Sequence, residues 1–347
     1  MTAASPSTFP RIPLGTLDEH SLGVSWSADG KFLVSTPSEG RIAVHAADGL
    51  PEALLPGHPG GNGLSGWHPR GSGLVTFGAD GRALIYSPPF RQPVVDISFG
   101  SGWAEVARWS PTGKFLAAAV GKNLHLADTV SGKIQQSFGP HRSTILDFAW
   151  NPASEHMLAV AGAGGVTVWK TGSVEPEADW EWGEASHLVS WSPCGRWMVS
   201  CEQSSAVHLV DADNPEPLHI RGFPSKVKAL AWTAGGDQLA VAAGPLITVW
   251  PCTGKKGPDG AKPEQLVGHA GDVSCLAFAP DSSLLASGGS EGMLLLWVPG
   301  KNKLPALLSR SHNPLTGLAW SPDGCRLACS TSGGDVEIIT VFEQTNS

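Results

Sequence analysis

Histidine is the residue type with the widest chemical range in this chain, which contains twelve of them. Imidazole nitrogens and carboxylates are ligands that zinc accepts in proteins. Four side chains of suitable type would form a weak zinc site if the fold brought them together. They are His20, Glu105, Glu184 and His187. Spacing alone does not show that they converge, so the chain is predicted to hold no metal and no other cofactor.

Segments that look like catalytic or cofactor motifs lack residues that those motifs need. Residues 63–67 do not match the Gly-x-Ser-x-Gly nucleophile turn. Residues 162–165 lack the later glycine of a dinucleotide loop, and residues 211–214 lack the glycine and the distal glutamate of a calcium loop. Residues 254–262 are strongly basic but do not lead into a helix as a phosphate loop does. The chain is therefore predicted not to be an enzyme.

Bulk properties narrow the classes of partner and the compartment. The chain of 347 residues has a formal charge of −8, whereas nucleic-acid binding needs a basic face. No stretch approaches the roughly 18 apolar residues of a membrane span, and the first residues lack the basic and apolar regions of a secretory signal. Six cysteines without a Cys-x-x-Cys pair fit reduced thiols. A cytoplasmic protein that binds neither nucleic acid nor membrane is expected.

An aromatic residue followed by a short turn recurs eight times along the chain, with successive gaps of 41, 42, 41, 41, 41, 46 and 42 residues. We call these residues the anchors. They are Trp26, Trp67, Trp109, Trp150, Trp191, Trp232, Phe278 and Trp320. A period in the forties indicates one small structural unit copied around an array.

One copy of the unit, residues 268–308, shows what the array is made of. Residues 273–278 alternate apolar and small side chains, as a buried strand does. Pro and Asp in the next four residues favour a turn. Further apolar runs at residues 284–288, 293–297 and 304–308 complete four predicted strands per unit.

The units resemble the WD-repeat family of β-propellers. The resemblance is carried by Gly-His pairs and by strands that end in Trp. These residues are Gly57-His58, His141, Gly268-His269, Val168-Trp169, Val249-Trp250 and Leu296-Trp297. The family's Asp after the tryptophan is replaced here by Lys170, Pro251 and Val298. The fold implied is all-β, with four-stranded antiparallel blades.

The same resemblance implies a structural hydrogen-bonded set in some blades, made of a histidine, a hydroxyl, an acidic residue and the final aromatic residue. The best match is His269, Ser287, Glu291 and Trp297. His58, Thr76 and Asp80 match in the second unit, where Tyr86 replaces Trp, and His141 occupies the same structural position. Around Ala161 and Gly164 the set is missing, and apolar packing is expected instead.

The two ends of the chain predict how the ring closes. Residues 9–17 can form a strand, and only three strands remain for the last unit. The N-terminal strand is therefore predicted to pair with the last blade, which removes an open sheet edge. The result is an eight-bladed propeller of 32 strands over residues 9–342, between a flexible N-terminus (1–8) and a tail (343–347). Seven blades are usual in the family, so eight is a testable prediction.

Residues six and four positions before each anchor should line the channel mouth on one face. They include His20, Trp103, Glu105, His187, Lys226, Lys228 and Asp272. An aromatic side chain among mixed charges suits protein binding. The predicted function is a non-catalytic, monomeric scaffold for a protein partner of unknown identity.

Two other segments leave alternatives open. Trp180 and Trp182 lie on one face of a strand, and that face either packs on the next blade or forms an adhesive edge. Residues 254–262 form either a solvated loop or a docking loop.

A narrower resemblance links residues 223–232 and 254–263, together with Gly268-His269, to a bacterial WD-repeat group whose members are encoded near zinc-related GTPases of the CobW type. This resemblance implies an alternative function. The chain would then be a zinc-handling accessory protein that works with a GTPase partner.

Overall fold

A computed structural model describes residues 9–17, 19–301 and 304–342 of the chain, and it leaves the side chains of Glu105 and Pro215 undescribed. The predicted flexible N-terminus (1–8) and tail (343–347) lie outside these residues. Within them the secondary structure consists of 32 β-strands without a helix. No helix that could cross a membrane is therefore found in the described segments.

The strands form eight antiparallel sheets of four, which are the blades of one propeller. Blade 1 contains β2 (Ser21–Trp26), β3 (Phe32–Pro37), β4 (Ile42–Ala46) and β5 (Pro51–Leu55). Blade 2 contains β6 (Gly66–Trp67), β7 (Leu74–Phe77), β8 (Arg82–Tyr86) and β9 (Val95–Ser98). Blade 3 contains β10 (Ala104–Trp109), β11 (Phe115–Val120), β12 (Asn123–Asp128) and β13 (Ile134–Phe138). Blade 4 contains β14 (Asp147–Trp150), β15 (Met157–Gly162), β16 (Gly165–Lys170) and β17 (Ala178–Glu181).

The second half of the ring repeats the pattern. Blade 5 contains β18 (Ser186–Trp191), β19 (Trp197–Glu202), β20 (Val207–Asp211) and β21 (Asn214–Ile220). Blade 6 contains β22 (Val227–Trp232), β23 (Gln238–Ala243), β24 (Leu246–Pro251) and β25 (Glu264–Val267). Blade 7 contains β26 (Val273–Phe278), β27 (Leu285–Gly289), β28 (Met293–Trp297) and β29 (Ala306–Arg310). Blade 8 contains β30 (Leu315–Trp320), β31 (Arg326–Thr331), β32 (Asp335–Thr340) and β1 (Arg11–Thr16).

The hydrophobic core lies between successive blades. Second strands such as β11 (Phe-Leu-Ala-Ala-Ala-Val) are buried along most of their length and read as short continuous apolar runs. Between blades 3 and 4, Leu126 and Phe138 pack with Phe148 and Leu158. The single gap of 46 residues between anchors is explained by the long connection between β24 and β25 in blade 6. The predicted eight-bladed architecture is confirmed.

The ring closes as predicted, because β1 is the outer strand of blade 8. It pairs antiparallel with β32, from Arg11 opposite Ile339 to Thr16 opposite Asp335. The backbones of blades 8 and 1 also approach closely at Gly317, where a Cβ atom would lie 2.8 Å from the Cα atom of Gly23. Any larger side chain at position 317 would force the two innermost strands apart.

Five of the anchors join their blade to the preceding one through the indole group, a role that the repeat spacing does not reveal. In five blades the indole N–H donates to the carbonyl directly before the preceding anchor. The bonds are Trp26 to Ala319 (3.1 Å), Trp67 to Ser25 (2.9 Å), Trp109 to Gly66 (3.1 Å), Trp150 to Arg108 (3.3 Å) and Trp320 to Ala277 (3.1 Å). Phe278 has no such donor, and the indole nitrogens of Trp191 and Trp232 are buried without a partner. The first of these bonds spans the ring closure between blades 1 and 8.

Candidate interaction face

One face of the ring carries the connections that lead into the innermost strands and the turns between second and third strands; we call it the mouth face. The seven residues predicted to bind a partner all lie in these connections or at the start of an innermost strand. They are therefore distributed around this one face, on blades 1, 3, 5, 6 and 7.

A β-bulge recurs at the start of six innermost strands, and it falls four residues before the anchor each time. The pairing register shifts there in β2, β10, β18, β22, β26 and β30. The extra residues are Leu22, Glu105, His187, Lys228, Ser274 and Thr316. A bulge leaves one residue unpaired and re-aims its side chain. Three of the seven predicted residues occupy such bulges.

Several bulged side chains bind the next blade. Nε2 of His187 lies 2.8 Å from the carbonyl oxygen of Val227. Burial lowers the pKa of His187 although this carbonyl raises it, so the neutral imidazole donates the hydrogen bond. Nζ of Lys228 donates to Oδ2 of Asp272 at 2.8 Å. The structure thus brings Lys228 and Asp272 together and joins His187 to the strand that follows Lys226.

The remaining predicted residues differ in exposure. His20 is exposed, Lys226 is half-buried, and the Trp103 side chain is 52% exposed. The backbone of Glu105 lies in β10, but its side chain is outside the described part of the structure. Among the described side chains, His, Cys, Asp and Glu form no group of three or more that could hold a metal. The described members of the zinc set therefore form no metal site.

Sequence reasoning missed two apolar residues on this face. Leu64 of blade 2 is 50% exposed and Leu146 of blade 4 is 41% exposed, so they flank the blade that carries Trp103. Leu64 reaches blade 1, because a Cβ atom on Gly23 would lie 3.0 Å from its Cδ1 atom. No clear signal was present in the sequence, because Leu22, Val106 and Leu188 also lie three or four positions before an anchor.

A buried carboxylate ties three innermost strands together. Oδ1 of Asp147 accepts a hydrogen bond from Nη1 of Arg108 at 2.6 Å, and its Oδ2 accepts from the backbone N–H of Val189 at 3.0 Å. Asp147 is only 4% exposed. Because each oxygen has a donor, the charge is compensated. Asp147 therefore stabilises blades 3 to 5.

The hydrogen-bonded set of blade 7 is assembled around Ser287. Its Oγ accepts from Nε1 of Trp297 at 2.7 Å and lies 2.7 Å from Nε2 of His269. Nδ1 of His269 lies 2.6 Å from Oε1 of Glu291.

Blade 2 repeats part of this set. Nε2 of His58 lies 3.0 Å from Oγ1 of Thr76, and Nδ1 lies 2.9 Å from Oδ1 of Asp80. Both histidines are buried. In both blades the histidine links the second strand to the turn that follows it.

Blade 4 lacks the hydroxyl, and its histidine bonds the tryptophan directly. Leu158 pairs with Trp169 as Leu285 pairs with Trp297, so the register places Val160 where blade 7 has Ser287. Nε1 of Trp169 donates to Nε2 of His141 at 3.0 Å. Burial lowers the pKa of His141, which fits an unprotonated, accepting Nε2.

Four cavities lie where other blades would hold such a set. They occupy about 490, 350, 470 and 280 Å³ in blades 1, 4, 5 and 8. In blade 1, Ser35 and His45 line the cavity, and the Oγ and Nδ1 atoms of these residues are buried without a hydrogen bond. His45 is nineteen residues after its anchor, the spacing of Trp297 from Phe278. The imidazole of His45 is smaller than the indole that Trp297 has at this position, so it leaves a cavity and unpaired polar atoms.

The two segments with open alternatives both pack on blade 5. The Trp182 ring is parallel to those of Trp180 and His208, with centroids 6.3 and 4.2 Å away. Arg196 donates to the carbonyl oxygens of Gly254 (2.6 Å) and Lys255 (2.8 Å) at the start of the basic loop. The tryptophans therefore join blades 4 and 5, and the loop is held against blade 5.

The fold defines the class of protein, an eight-bladed β-propeller closed by its N-terminal strand. The family model "WD40: WD domain, G-beta repeat" matches residues 261–298 and 305–338, around blades 7 and 8. The match shows WD40 repeats in these two segments.

Relatives match over parts of their length. The chain is 28% identical over 144 residues to "Uncharacterized WD repeat-containing protein sll1491" of Synechocystis, which is 41% of this chain and 40% of the relative. It is 22% identical over 340 residues to "Protein HIR1" of Phaeosphaeria nodorum, covering 79% of this chain and 32% of the relative. It is 40% identical over 79 residues to "Small ribosomal subunit protein RACK1" of Candida albicans, covering 23% and 24%. These names give no link to a CobW-type GTPase.

WD40 propellers generally act as non-catalytic scaffolds that bind other proteins. The matched regions span at most 40% of these three relatives. The relatives' own functions therefore say little about the partner of this chain.

Proposed function

We propose that this chain is a non-catalytic scaffold that binds a protein partner through the mouth face. The observation that carries the proposal is the 52% exposure of Trp103 between the exposed Leu64 and Leu146 of the flanking blades. Large aromatic side chains dominate the binding energy of protein interfaces. His20 and Lys226 add polar groups on the same face.

The closed ring explains how such a face would bind. Each innermost strand is paired within its blade and bonded to its neighbours, so the rim connections are held before a partner arrives. Binding then loses little conformational entropy. The proposal includes a monomeric ring in the cytoplasm, with a protein ligand and without nucleic acid or membrane.

The test is capture of partners from the native cytosol by the tagged chain and by Trp103→Ala. Loss of the tryptophan should weaken binding of a captured partner at least tenfold, because its contact area is removed. Phe342→Ala is the matched control, since Phe342 is 53% exposed beyond β32 at the opposite face. Equal affinity of Trp103→Ala and the unchanged chain for that partner would exclude this face.

A further inference from the structure

The residue directly before each anchor lies on an innermost strand, beside the central channel of the ring. In seven blades this residue is alanine, serine or glycine, and only blade 3 has a long, charged one, Arg108. The side chain of Arg108 is 43% exposed. Blades 2 and 4 pack on the two faces of β10, so the exposed part of this side chain faces the channel.

The guanidinium of Arg108 lies part of the way down the channel, at the level where β14 begins. Nη1 donates to Oδ1 of Asp147 at 2.6 Å, and Cζ lies 5.4 Å from the centre of the Phe148 ring. Asp147 is three residues before its anchor, which is the level of Val106 in β10. That level is three residues below Trp103, or roughly 10 Å at the usual rise of a strand.

This guanidinium has more donors than its described contacts use. An arginine head has five N–H groups, and its one described hydrogen bond here is the bond from Nη1 to Asp147. The Asp147 carboxylate also has other donors. Its Oδ1 accepts from the backbone N–H of Phe148 at 2.9 Å, and its Oδ2 accepts from that of Val189 at 3.0 Å. Arg108 can therefore bind a second carboxylate without leaving Asp147 unpaired.

Exposed apolar side chains lie on the mouth side of this guanidinium. Leu146 directly precedes Asp147 and is 41% exposed. Trp103 leads into β10 and Leu64 lies on the neighbouring blade 2, and both side chains are at least half exposed. A ligand that enters from the mouth face therefore meets apolar side chains first and a single cation below them.

We propose that the channel binds the C-terminus of a protein partner, a segment of apolar residues that ends in a free carboxylate. The carboxylate would bind Arg108, and the apolar side chains would pack on Leu64, Trp103 and Leu146. A chain end reaches this depth by passing the mouth once, whereas an internal acidic residue would require the chain to enter and turn back. The inference rests on the proposed function, because it takes the mouth face as the protein-binding face.

The first experiment compares two probes on the full chain. The carboxylate probe is a mixture of fluorescein-labelled hexapeptides, randomised over valine, leucine, isoleucine and phenylalanine, with a free C-terminus. The amide probe is the same mixture with a C-terminal amide. Fluorescence anisotropy should show at least tenfold tighter binding of the carboxylate probe, because the amide loses the charge-assisted hydrogen bonds to Arg108. Equal binding of the two probes, or no binding of either, would overturn the proposal.

The second experiment removes the charge from the protein. Arg108→Gln should weaken the carboxylate probe at least tenfold and abolish the difference between the two probes. Arg91→Gln is the matched control, because Arg91 is exposed in the turn between β8 and β9 on the opposite face. An Arg108→Gln variant that still prefers the carboxylate probe would also overturn the proposal. If that variant fails to fold, the comparison of the two probes on the unchanged chain still decides.

Failure of this inference differs from failure of the proposed function. If Trp103→Ala releases a captured partner while the two probes bind equally, the face is correct and its ligand is not a C-terminus. If the carboxylate probe binds through Arg108 while Trp103→Ala leaves the captured partner bound, the channel site stands and the rim around Trp103 does not. An amide probe with one internal glutamate that binds as tightly as the carboxylate probe would exclude the C-terminus as the ligand.

Discussion

At the residue scale, the contacts of one hydroxyl fit the Nδ1–H tautomer of a buried histidine. Oγ of Ser287 accepts from Trp297, so its own proton is available for Nε2 of His269. The remaining proton of that ring is then on Nδ1, which donates to Glu291. Burial raises the pKa of Glu291, but the hydrogen bond from His269 and backbone hydrogen bonds from Glu291 and Gly271 together lower it more, so the net pKa is below its ordinary value. The acceptor therefore stays ionised at neutral pH.

Ser287→Ala should destabilise the protein more than Thr76→Val. The first change leaves the indole N–H of Trp297 and Nε2 of His269 unpaired in the core, whereas the second leaves only Nε2 of His58 unpaired. A buried polar group without a partner costs about 1–3 kcal/mol. Urea unfolding of both variants gives the comparison. A loss for Ser287→Ala that does not exceed the loss for Thr76→Val would contradict the assigned network.

The residues of these hydrogen-bonded sets were predictable where the spacing between histidine and hydroxyl is the same in two blades. They were not predictable where a turn changes length. His58 and His269 precede their hydroxyl residues by the same 18 positions, so the sequence alone pairs them. In blade 4 the turn between second and third strands is one residue shorter, and the register places Val160 at the hydroxyl position. The sequence had pointed to the neighbouring residue, Ala161. A shift of one residue places a side chain on the other face of a strand, so this difference decides which residue faces the histidine.

At the element scale, the indole bonds give a role to tryptophan at five of the seven anchors that have one. A phenylalanine fills much of the same space but cannot donate to the preceding blade. The bond to the preceding blade is missing in blades 5, 6 and 7, whose anchors are Trp191, Trp232 and Phe278. Other contacts serve there, such as the bond from Nε1 of Trp197 to the carbonyl of Cys252 at 3.2 Å.

Trp320→Phe should lower the free energy of unfolding by about 1 kcal/mol, because it removes one inter-blade hydrogen bond. Trp232→Phe is the matched control. Its indole nitrogen has no partner, so the loss should be smaller. Both variants can be compared by chemical denaturation. Equal losses would mean that the indole bond contributes nothing beyond the packing of the ring.

The position of the rim was predictable, but the direction of its side chains was not. Counting six and four residues before each anchor found the start of six of the eight innermost strands, whereas β6 and β14 begin nearer their anchors, at Gly66 and Asp147. The bulge at the second position is a backbone irregularity that no single residue type marks, and it turned His187 toward Val227 and Lys228 toward Asp272. Such orientations are decided by the need of a buried nitrogen for a hydrogen-bond partner or by a nearby opposite charge. Both the partner and the opposite charge come from the neighbouring blade.

At the scale of the whole molecule, stability depends on a strand from the opposite end of the chain. β1 covers the edge of β32, and Arg11 also donates to the carbonyl of Leu308 at 2.7 Å. Without β1, blade 8 would present an unpaired edge between Asp335 and Thr340. Such edges pair with other chains.

Removal of residues 1–16 should lower the melting temperature and produce oligomers at micromolar concentration. Removal of residues 1–8 is the matched control, because it keeps β1 and should leave both properties unchanged. Thermal unfolding and size-exclusion chromatography with light scattering give the two readouts. A monomer with unchanged melting temperature after loss of residues 1–16 would show that closure by β1 is dispensable.

Blade number and closure were predictable from the sequence because they follow from counting units and leftover strands. The partner was not, because the same ring can present many different rims. Under the proposed function, specificity would depend on a few exposed side chains such as Trp103, whose surroundings come from three-dimensional packing.

The closing strand also imposes an order on biosynthesis. Thr16 and its partner Asp335 are 319 residues apart, so at roughly 5–20 residues per second β1 leaves the ribosome about 15–60 s before its neighbour exists. Seven blades can assemble on the nascent chain in that interval, while the first strand to emerge waits for the last blade. The ring is therefore sealed only after translation has passed Thr340, and until then β1 is an unpaired strand that is able to pair with other chains.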